Sequence, residues 1–390
     1  MKIALVHDYL REYGGAERVV EVLHEMYPEA PLYTAFVDWP SFAKAPEGKV
    51  ELFKSMDIRT SWVQHNWFVK KYHSPLRFLT PLIWESFDLR GFDVVISSSG
   101  WYMCRGVVTR PETLHVSYIH HPPRNLYGYP TGSVAQSPFA KAYGVVINPF
   151  LRSYDFATAQ RVDELVANSE TTRERIKKFY RRESTVIYPP VKIETNSPQP
   201  SLTKGGIIPP LGKRGLGGVI NKSYYLSVGR LTYAKRVDLA IAACNELKLP
   251  LKIVGTGREE GKLRAISGPT IEFLGSVSDE QLAKLYKGAK ALIFCALEED
   301  FGMVPVEAMS YGVGVIALRQ GGVTETIIEG RTGLFFNKPE VEEVVKVVKE
   351  FERFRFDPET CIKQAQKFST QVFKKKMRDF VEEKYHTRQK

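Results

Sequence analysis

Four apolar residues in a row, Ile3-Ala4-Leu5-Val6, give way to His7-Asp8 and then to Gly14-Gly15, after which apolar residues return at a different spacing. Val19, Val22, Leu23 and Met26 lie three or four apart, the period of one helix face. The pattern predicts a strand, a glycine loop and a helix, the opening unit of a wound α/β domain. Short apolar runs that each end in small, polar or proline residues continue the theme. They are Val94 to Ile96 before Ser97-Ser98-Ser99, His115 to Ile119 before His120-His121, Leu165 to Ala167 before Asn168-Ser169, and Thr185 to Tyr188 before Pro189-Pro190. Brief strands separated by helical spacing favour a parallel sheet, whose ligands sit beyond the strand C-termini.

From about Asn196 to Lys222 the periodicity stops, and Ser197-Pro198-Gln199-Pro200, Gly205-Gly206, Pro209-Pro210 and Gly215 to Gly218 read as a linker or mobile loop. The alternation then restarts. Strands are predicted at Tyr224 to Val228, Leu251 to Val254, Ile271 to Leu274, Ala291 to Phe294 and Val315 to Leu318, with helices such as Arg236 to Leu247 and Asp279 to Lys287. The expected organisation is an α/β half over 1–195, the linker over 196–222, and a second α/β half over 223–365. A charged helical segment begins near Glu340, and 366–390 forms a terminal helix that crosses back to the first half.

Composition narrows the class. Hydrophobic residues make up 43% and charged residues 25% of the 390, which excludes a disordered or collagen-like chain. Lys and Arg number 55 against 44 Asp and Glu, a net +11 that suits an anionic partner without choosing among nucleotide, nucleic acid and lipid. Cys104, Cys244, Cys295 and Cys361 form no CxxC pair, so neither zinc nor a disulfide framework is indicated and a reducing, cytoplasmic setting is expected. The opening apolar run is too short for a signal-peptide core, and no run approaches a spanning helix, so attachment at a membrane surface is the most the pattern allows. Two basic segments bear on that point. Trp62 to Trp84 mixes Trp62, Trp67, Phe68 and Trp84 with Lys70, Lys71 and Arg77, and reads either as helices packed on the first half or as an interfacial surface. The run Arg173, Arg175, Lys177, Lys178, Arg181, Arg182 reads as a solvated helix face, one an anionic membrane could also use.

Candidate chemistry gathers at strand ends. Leu297-Glu298-Glu299-Asp300-Phe301-Gly302-Met303-Val304-Pro305-Val306-Glu307 follows a strand and enters a helix, so backbone N–H groups from Gly302 to Val304 would face an anion. A carboxylate there could accept paired sugar or ribose hydroxyls, or Glu307 could merely complement the helix dipole. Gly229-Arg230 and Lys235 follow another strand and supply two cations suited to a diphosphate, although surface ion pairs would explain them equally well. Val254-Gly255-Thr256-Gly257 is half a phosphate fingerprint that lacks the final Gly, and Gly14-Gly15 is a phosphate or acceptor contact or a tight turn. Tyr118-Ile119-His120-His121-Pro122-Pro123-Arg124 places two histidines and an arginine where a strand empties into a crevice.

Together these residues resemble family 4 retaining glycosyltransferases, close to mannosyltransferases that extend lipid-linked bacterial polysaccharides. The carriers are Gly14-Gly15-Ala16-Glu17, Tyr118-x-His120-x-Pro122-x-Arg124, Gly229-Arg230-x4-Lys235-Arg236, Glu299-Asp300-Phe301-Gly302-x4-Glu307-Ala308 and Gly321-Gly322-x2-Glu325. The resemblance implies a GT-B fold: two Rossmann-like domains facing each other across a cleft, with the sugar nucleotide held by the second. It further implies that Arg230 and Lys235 neutralise the diphosphate, that Glu307 meets the ribose, and that Glu299 with backbone groups of Phe301, Gly302, Met303 and Val304 holds the sugar. Gly275, Ser276 and Val277 would line the base, His120 would lie beside the reacting carbon, and Gly14, Gly15 and Gly255 would lie near the phosphates. Catalysis would rest on His120, Glu299, Arg230 and Lys235, with Glu299 not acting as a conventional nucleophile. No metal and no separate cofactor is implied. Gly314 departs from the proline that commonly precedes this strand, which should loosen a turn.

The implied donor is GDP-mannose, with a UDP-hexose as alternative, and the implied partner a glycan or lipid-linked saccharide acceptor, with peripheral membrane contact and no nucleic acid. A UDP-sugar epimerase of the same architecture, or a non-enzymatic protein binding anionic surfaces, are the rival readings. The acidic loop after the strand argues for transfer, and no recognisable nucleic-acid module is present.

Overall fold

The computed structural model describes residues 1–43, 46, 48–130, 138–193, 223–354 and 357–389. The predicted linker at 196–222 lies outside the described residues. The first half is a seven-stranded, all-parallel sheet in the order β3-β2-β1-β4-β5-β6-β7. Its strands are β1 (Ile3–His7), β2 (Leu32–Thr34), β3 (Ile58–Thr60), β4 (Val94–Ser99), β5 (Leu114–Ile119), β6 (Glu164–Ala167) and β7 (Thr185–Val186). The second half is a six-stranded parallel sheet in the order β10-β9-β8-β11-β12-β13. Its strands are β8 (Tyr224–Val228), β9 (Leu251–Val254), β10 (Ile271–Gly275), β11 (Ala289–Phe294), β12 (Gly314–Leu318) and β13 (Gly333–Phe336). In both sheets the order reverses beside the first strand, which opens a crevice at the strand C-termini.

Strands β2, β3 and β13 are additions to the sequence reading; three or four residues each give too few alternations to register. Ser97, Ser98 and Ser99 belong to β4 instead of ending it. Their hydroxyls are satisfied by His115, His120 and Arg105, so the strand stays paired through polar residues. Gly314 is likewise the first residue of β12, opposite Ala291, and loosens no turn.

Helix Gly15–Met26 packs Val19, Val20, Val22 and Leu23 on the first sheet, and Glu17 accepts the N–H of Gly14 at 2.8 Å to close its first turn. The opposite face of that sheet is covered by the short helices between Trp62 and Trp84, where Trp84, Ile83 and Val63 are buried with Tyr102 and Phe36. Helix Pro138–Arg161 lies alongside. In the second half, Val237–Leu247 and Val341–Arg353 cover one face, while Met303–Ser310 and Pro358–Gln366 cover the other. The charged segment beyond Glu340 is thus three helices, the last of which, Thr370–Gln389, packs Phe373, Met377, Phe380 and Val381 into the core of the first half. Among the described residues the chain passes between halves at two adjacent points, where the Val191 N–H donates to Phe368 O at 3.0 Å and the Thr370 N–H to Val191 O at 3.1 Å.

A fully buried ion pair sits beside β4. Arg105 and Asp155 are both fully buried and ion-paired, and Arg105 also donates to Asp155 O at 3.2 Å, Tyr180 Oη at 3.0 Å and Ser99 Oγ at 3.2 Å. With its neighbours' lone pairs used, the guanidinium fixes the loop after β4 against helix Pro138–Arg161.

Candidate active site

The two halves meet along the C-terminal ends of their strands, and the chemistry-bearing loops converge there. After β11 the chain enters the loop Glu298–Gly302 and then helix Met303–Ser310. Gly302 adopts φ +87°, in the left-handed region, which turns the chain into that helix. Gly321 and Gly322 sit directly behind: a Cβ on Gly321 would lie 2.1 Å from Glu299 O and one on Gly322 2.3 Å from Asp300 O. The glycine pair lets two backbones touch, and the Gly322 N–H donates to Glu299 O at 2.8 Å.

Lys235 reaches this loop from the β8 side, its Nζ 2.6 Å from Glu299 Oε2. Glu307, one helical face further, is buried; it accepts from Tyr286 Oη at 3.1 Å and pairs with Arg18 of helix Gly15–Met26 in the other half. Arg230 extends across to Glu12, with its Nη1 2.6 Å from Oε1, just before the Gly14-Gly15 loop. Gly15 itself faces the start of helix Met303–Ser310, since a Cβ there would approach Met303 Sδ to 3.1 Å. Arg230, Lys235, Glu299, Glu307, Gly14, Gly15 and Met303 therefore line one cleft.

His120 closes the cleft from β5. It is buried, with Nε2 2.7 Å from Ser98 Oγ, its carbonyl accepting from Asn168 at 2.8 Å. Burial, and after it the neighbouring His7 and His121, pushes His120 well below the ordinary histidine range, so it is neutral at neutral pH. His7 goes the other way. Burial opposes its charged form, but the hydrogen-bonded carboxylate of Glu17, 3.4 Å from Nε2, outweighs burial with help from Asp8. Asp8 in turn accepts backbone N–H groups of Gly100 at 3.1 Å, Tyr102 at 2.8 Å and Cys104 at 2.9 Å, holding the loop that backs His120.

Arg124, at the end of the same histidine segment, donates to Glu298 O at 2.7 Å and lies 2.6 Å from Asp300. Arg175 joins them, 2.7 Å from Glu298 Oε2 and paired with Asp300. Arg175 is thus a correction to the solvated-face reading of its helix: it is buried between the halves. Burial pushes the Asp300 carboxyl up, but Arg124, His121 and Arg175 outweigh it and hold it below the usual carboxylate range. Glu325 does related work, accepting the N–H groups of Glu170 at 2.7 Å and Thr171 at 2.8 Å and so capping a helix of the opposite half.

Other residues singled out in the sequence hold the backbone around this cluster or lie further along the second sheet. Gly255 and Gly257 serve close backbone packing, since Cβ atoms there would lie 2.0 Å from Gly229 O and 2.2 Å from Leu231 O. Gly275, Ser276 and Val277 end the edge strand β10, with Ser276 exposed, and Gly275 O accepts the Gly255 N–H at 2.7 Å. Arg18, Glu12 and Tyr286 carry no motif signal that singles them out, although Arg18 adjoins Gly14-Gly15-Ala16-Glu17. Among the described residues no group of three or more His, Cys, Asp or Glu could hold a metal ion, and no helix is long and apolar enough to cross a membrane.

Residues 13–195 match the family described as Glycosyltransferase Family 4, and residues 217–368 match Glycosyl transferases group 1. Alpha-1,3/1,6-mannosyltransferase alg-2 of Neurospora crassa is 36% identical over 131 residues, covering 33% of this chain and 25% of that protein. Alpha-1,3/1,6-mannosyltransferase ALG2 of Candida glabrata is 25% identical over 380 residues, covering 84% of this chain and 78% of that protein. The first three curated relatives are matched over 25%, 26% and 34% of their own lengths. Among solved structures, the apo lipopolysaccharide outer core galactosyltransferase WaaB superposes with a TM-score of 0.62 at 18% identity, covering 98% of this chain and 100% of that one. Anabaena HepE in complex with UDP-glucose gives 0.66 at 16% identity, again covering 98% and 100%. These two report the GT-B fold.

Proposed function

The chain belongs to glycosyltransferase family 4, and from that membership we propose that it transfers mannose from GDP-mannose to a glycan or lipid-linked saccharide, with retention at the anomeric carbon. The observation that carries this is the convergence of Lys235 on Glu299, at 2.6 Å, inside a cleft whose far wall is Gly14-Gly15 and His120. The cations and acids of the cleft pair with one another. A nucleotide sugar presents the complementary groups: diphosphate oxygens for Arg230 and Lys235, ribose hydroxyls for Glu307, and hexose hydroxyls for Glu299 and the helix start at Phe301, Gly302, Met303 and Val304. The base would lie over Gly275, Ser276 and Val277, and Gly14-Gly15 beside the phosphates.

In the proposed step the acceptor oxygen bonds to the anomeric carbon as the bond to the diphosphate breaks. The departing phosphate oxygen takes the acceptor proton on the same face. The residues supply charge stabilisation and alignment, the two largest contributions available without covalent catalysis. His120, neutral and aimed by Ser98, borders the reacting carbon and can hold a hydroxyl without adding a positive charge beside the forming oxocarbenium. Mannose is favoured over other hexoses by the mannosyltransferase relatives.

A thermal-shift panel of GDP, UDP and ADP sugars tests the donor, because a ligand selective for the folded form raises its melting temperature. GDP-mannose should give the largest shift. A preference for a UDP-sugar would replace the donor assignment, and isomerisation of a UDP-sugar without acceptor would replace transfer itself.

A further inference from the structure

The acidic loop after β11 holds a backbone conformation that its residue types do not favour. Among the described residues, five other than glycine take positive φ: Met103, Arg181, Arg236, Lys248 and Glu298. Arg181 and Lys248 close helices, where the left-handed region is an ordinary ending, and Met103 and Arg236 stand just before helical turns. Glu298, at φ +48°, sits at no helix end. An L side chain adopts that region only at a cost, so the surroundings must over-determine it.

The chain is fixed on either side of Glu298 by its own half. The Leu297 N–H donates to Ala234 O at 2.8 Å, and Glu299 pairs with Gly321 in a parallel bridge. What fixes Glu298 itself comes from the other half. Arg124 Nη2 lies 2.7 Å from Glu298 O and 2.6 Å from Asp300 Oδ2. Arg175 Nη2 lies 2.7 Å from Glu298 Oε2, and its Nη1 donates to Asp300 Oδ1. The Glu298 carbonyl and the Glu299 N–H belong to one planar peptide unit, so the bond from Arg124 sets the plane from which Glu299 departs. Residues 298 and 300 are turned towards the first half, and Glu299 the other way, to Lys235 Nζ at 2.6 Å.

Arg175 is itself seated by the motif behind Glu299. Helix Glu170–Tyr180 carries it, and Glu325, three residues after Gly322, accepts from the Glu170 and Thr171 N–H groups at that helix's start. The Tyr129 ring covers the guanidinium at 4.3 Å. Gly321-Gly322 and Glu325 therefore act together. The glycines let the acidic loop lie against their backbone, and the acid docks the helix whose arginine grips that loop.

We propose that Arg175 and Arg124 are positioning residues that hold Glu298 left-handed and thereby aim Glu299 at the donor hexose. The inference rests on the proposed contact of Glu299 with the sugar; both arginines act through the loop backbone and its flanking acids. The sugar grip of the second half thus depends on side chains of the first.

Dissociation constants for GDP and GDP-mannose are measured by isothermal titration in the parent and in variants of the full chain. GDP alone reads the diphosphate contacts, and the ratio of the two constants isolates the sugar contacts. Arg175→Ala should shift the ratio against GDP-mannose by about tenfold, the loss of one charged hydrogen bond, with GDP affinity within about twofold of the parent. Arg175→Lys keeps the charge but cannot fork to two carboxylates, and should shift the ratio in the same direction by several-fold. Glycine takes φ +48° freely, so adding Glu298→Gly to Arg175→Ala should restore most of the loss. Amide exchange at Gly322, whose N–H donates to Glu299 O at 2.8 Å, reads the seating of the loop without any donor. Arg175→Ala and Arg175→Lys should each accelerate it, the first by about tenfold. A parent that binds neither nucleotide removes the donor reading, and exchange at Gly322 then decides the positioning. Parental exchange in both Arg175 variants, a ratio unchanged by both, or a double variant no better than Arg175→Ala alone overturns the proposal.

Discussion

Arg18 of the first half and Glu307 of the second are ion-paired across the cleft, although 289 residues separate them in the chain. Glu307 is the carboxylate proposed to meet the donor ribose, so a cation from the opposite wall competes with the ribose for it. Its attraction outweighs burial and raises the Arg18 pKa further, so the arginine stays charged throughout.

Substitutions at the two ends of that pair should therefore act with opposite signs. Glu307→Ala removes charged acceptors worth about 1.5–3 kcal/mol per hydrogen bond and should weaken donor binding by at least about tenfold. Arg18→Ala leaves the carboxylate free and should tighten donor binding by several-fold. Isothermal titration with GDP-mannose measures both, and weakening of equal size in the two variants would refute the competition.

Lys235→Ala and Arg230→Ala should each lower kcat/KM by about a hundredfold or more, the range for removing a fixed donor from a developing anion. Lys235→Ala should be the more severe, since Lys235 is half-buried beside Glu299 while Arg230 is largely exposed. If both variants bind and turn over GDP-mannose as the parent does, the diphosphate contacts lie elsewhere.

Asp155→Ala strands the fully buried Arg105 and should cost roughly 3–5 kcal/mol of folding stability. Urea unfolding would show it as a lower midpoint. Loss of the parent's donor-induced thermal shift in the folded fraction would indicate that the pair also shapes the cleft.

His115 is buried with Nε2 2.9 Å from Ser97 Oγ, and burial pushes its pKa from 6.5 down to about 4. The unfolded chain then binds the extra proton first, so stability falls as pH drops from 6.5 towards 4. The contribution is roughly 3 kcal/mol across that window. His115→Gln should flatten the corresponding limb of the stability–pH curve. His7, whose pKa is raised, contributes in the reverse sense, stabilising below 6.5 and losing effect as pH rises through its folded value, so only the comparison with the variant isolates His115.

Metal chelation should leave transfer unaffected, because the proposed charge stabilisation comes from Arg230, Lys235 and the helix start at Gly302. A rate abolished by EDTA and restored by a divalent cation would remove that account.

Much of this architecture was readable in advance. Apolar runs such as Ile3 to Val6 and Tyr224 to Val228 end abruptly in small or polar residues because the strands stop where the cleft begins. The loop from Glu298 to Glu307 was legible for the same reason. Long-range pairing was not. Nothing near Arg175 signals that it crosses to Asp300, nothing near Glu325 signals the helix it caps, and Arg18 reads locally as a solvated helix residue. At Gly255 and Gly257 the sequence does not separate close backbone approach from anion binding, because both demand glycine. The outward stripe of helix Pro138–Arg161 was hidden by its uniformity: Val145, Val146, Ile147 and Leu151 look alike in sequence, and only packing reveals which of them face inward.

The two crossings at Val191 and Ser369–Thr370 run side by side, bonded to one another, and so leave the halves a single axis about which to part. Swinging about that axis would leave the stitched edge intact and pull on the ionic clasps across the cleft, among them Arg230–Glu12, Arg18–Glu307 and Arg175–Asp300. The gape of the molecule should accordingly widen with ionic strength, and a mobile anion could act on it as a lubricant.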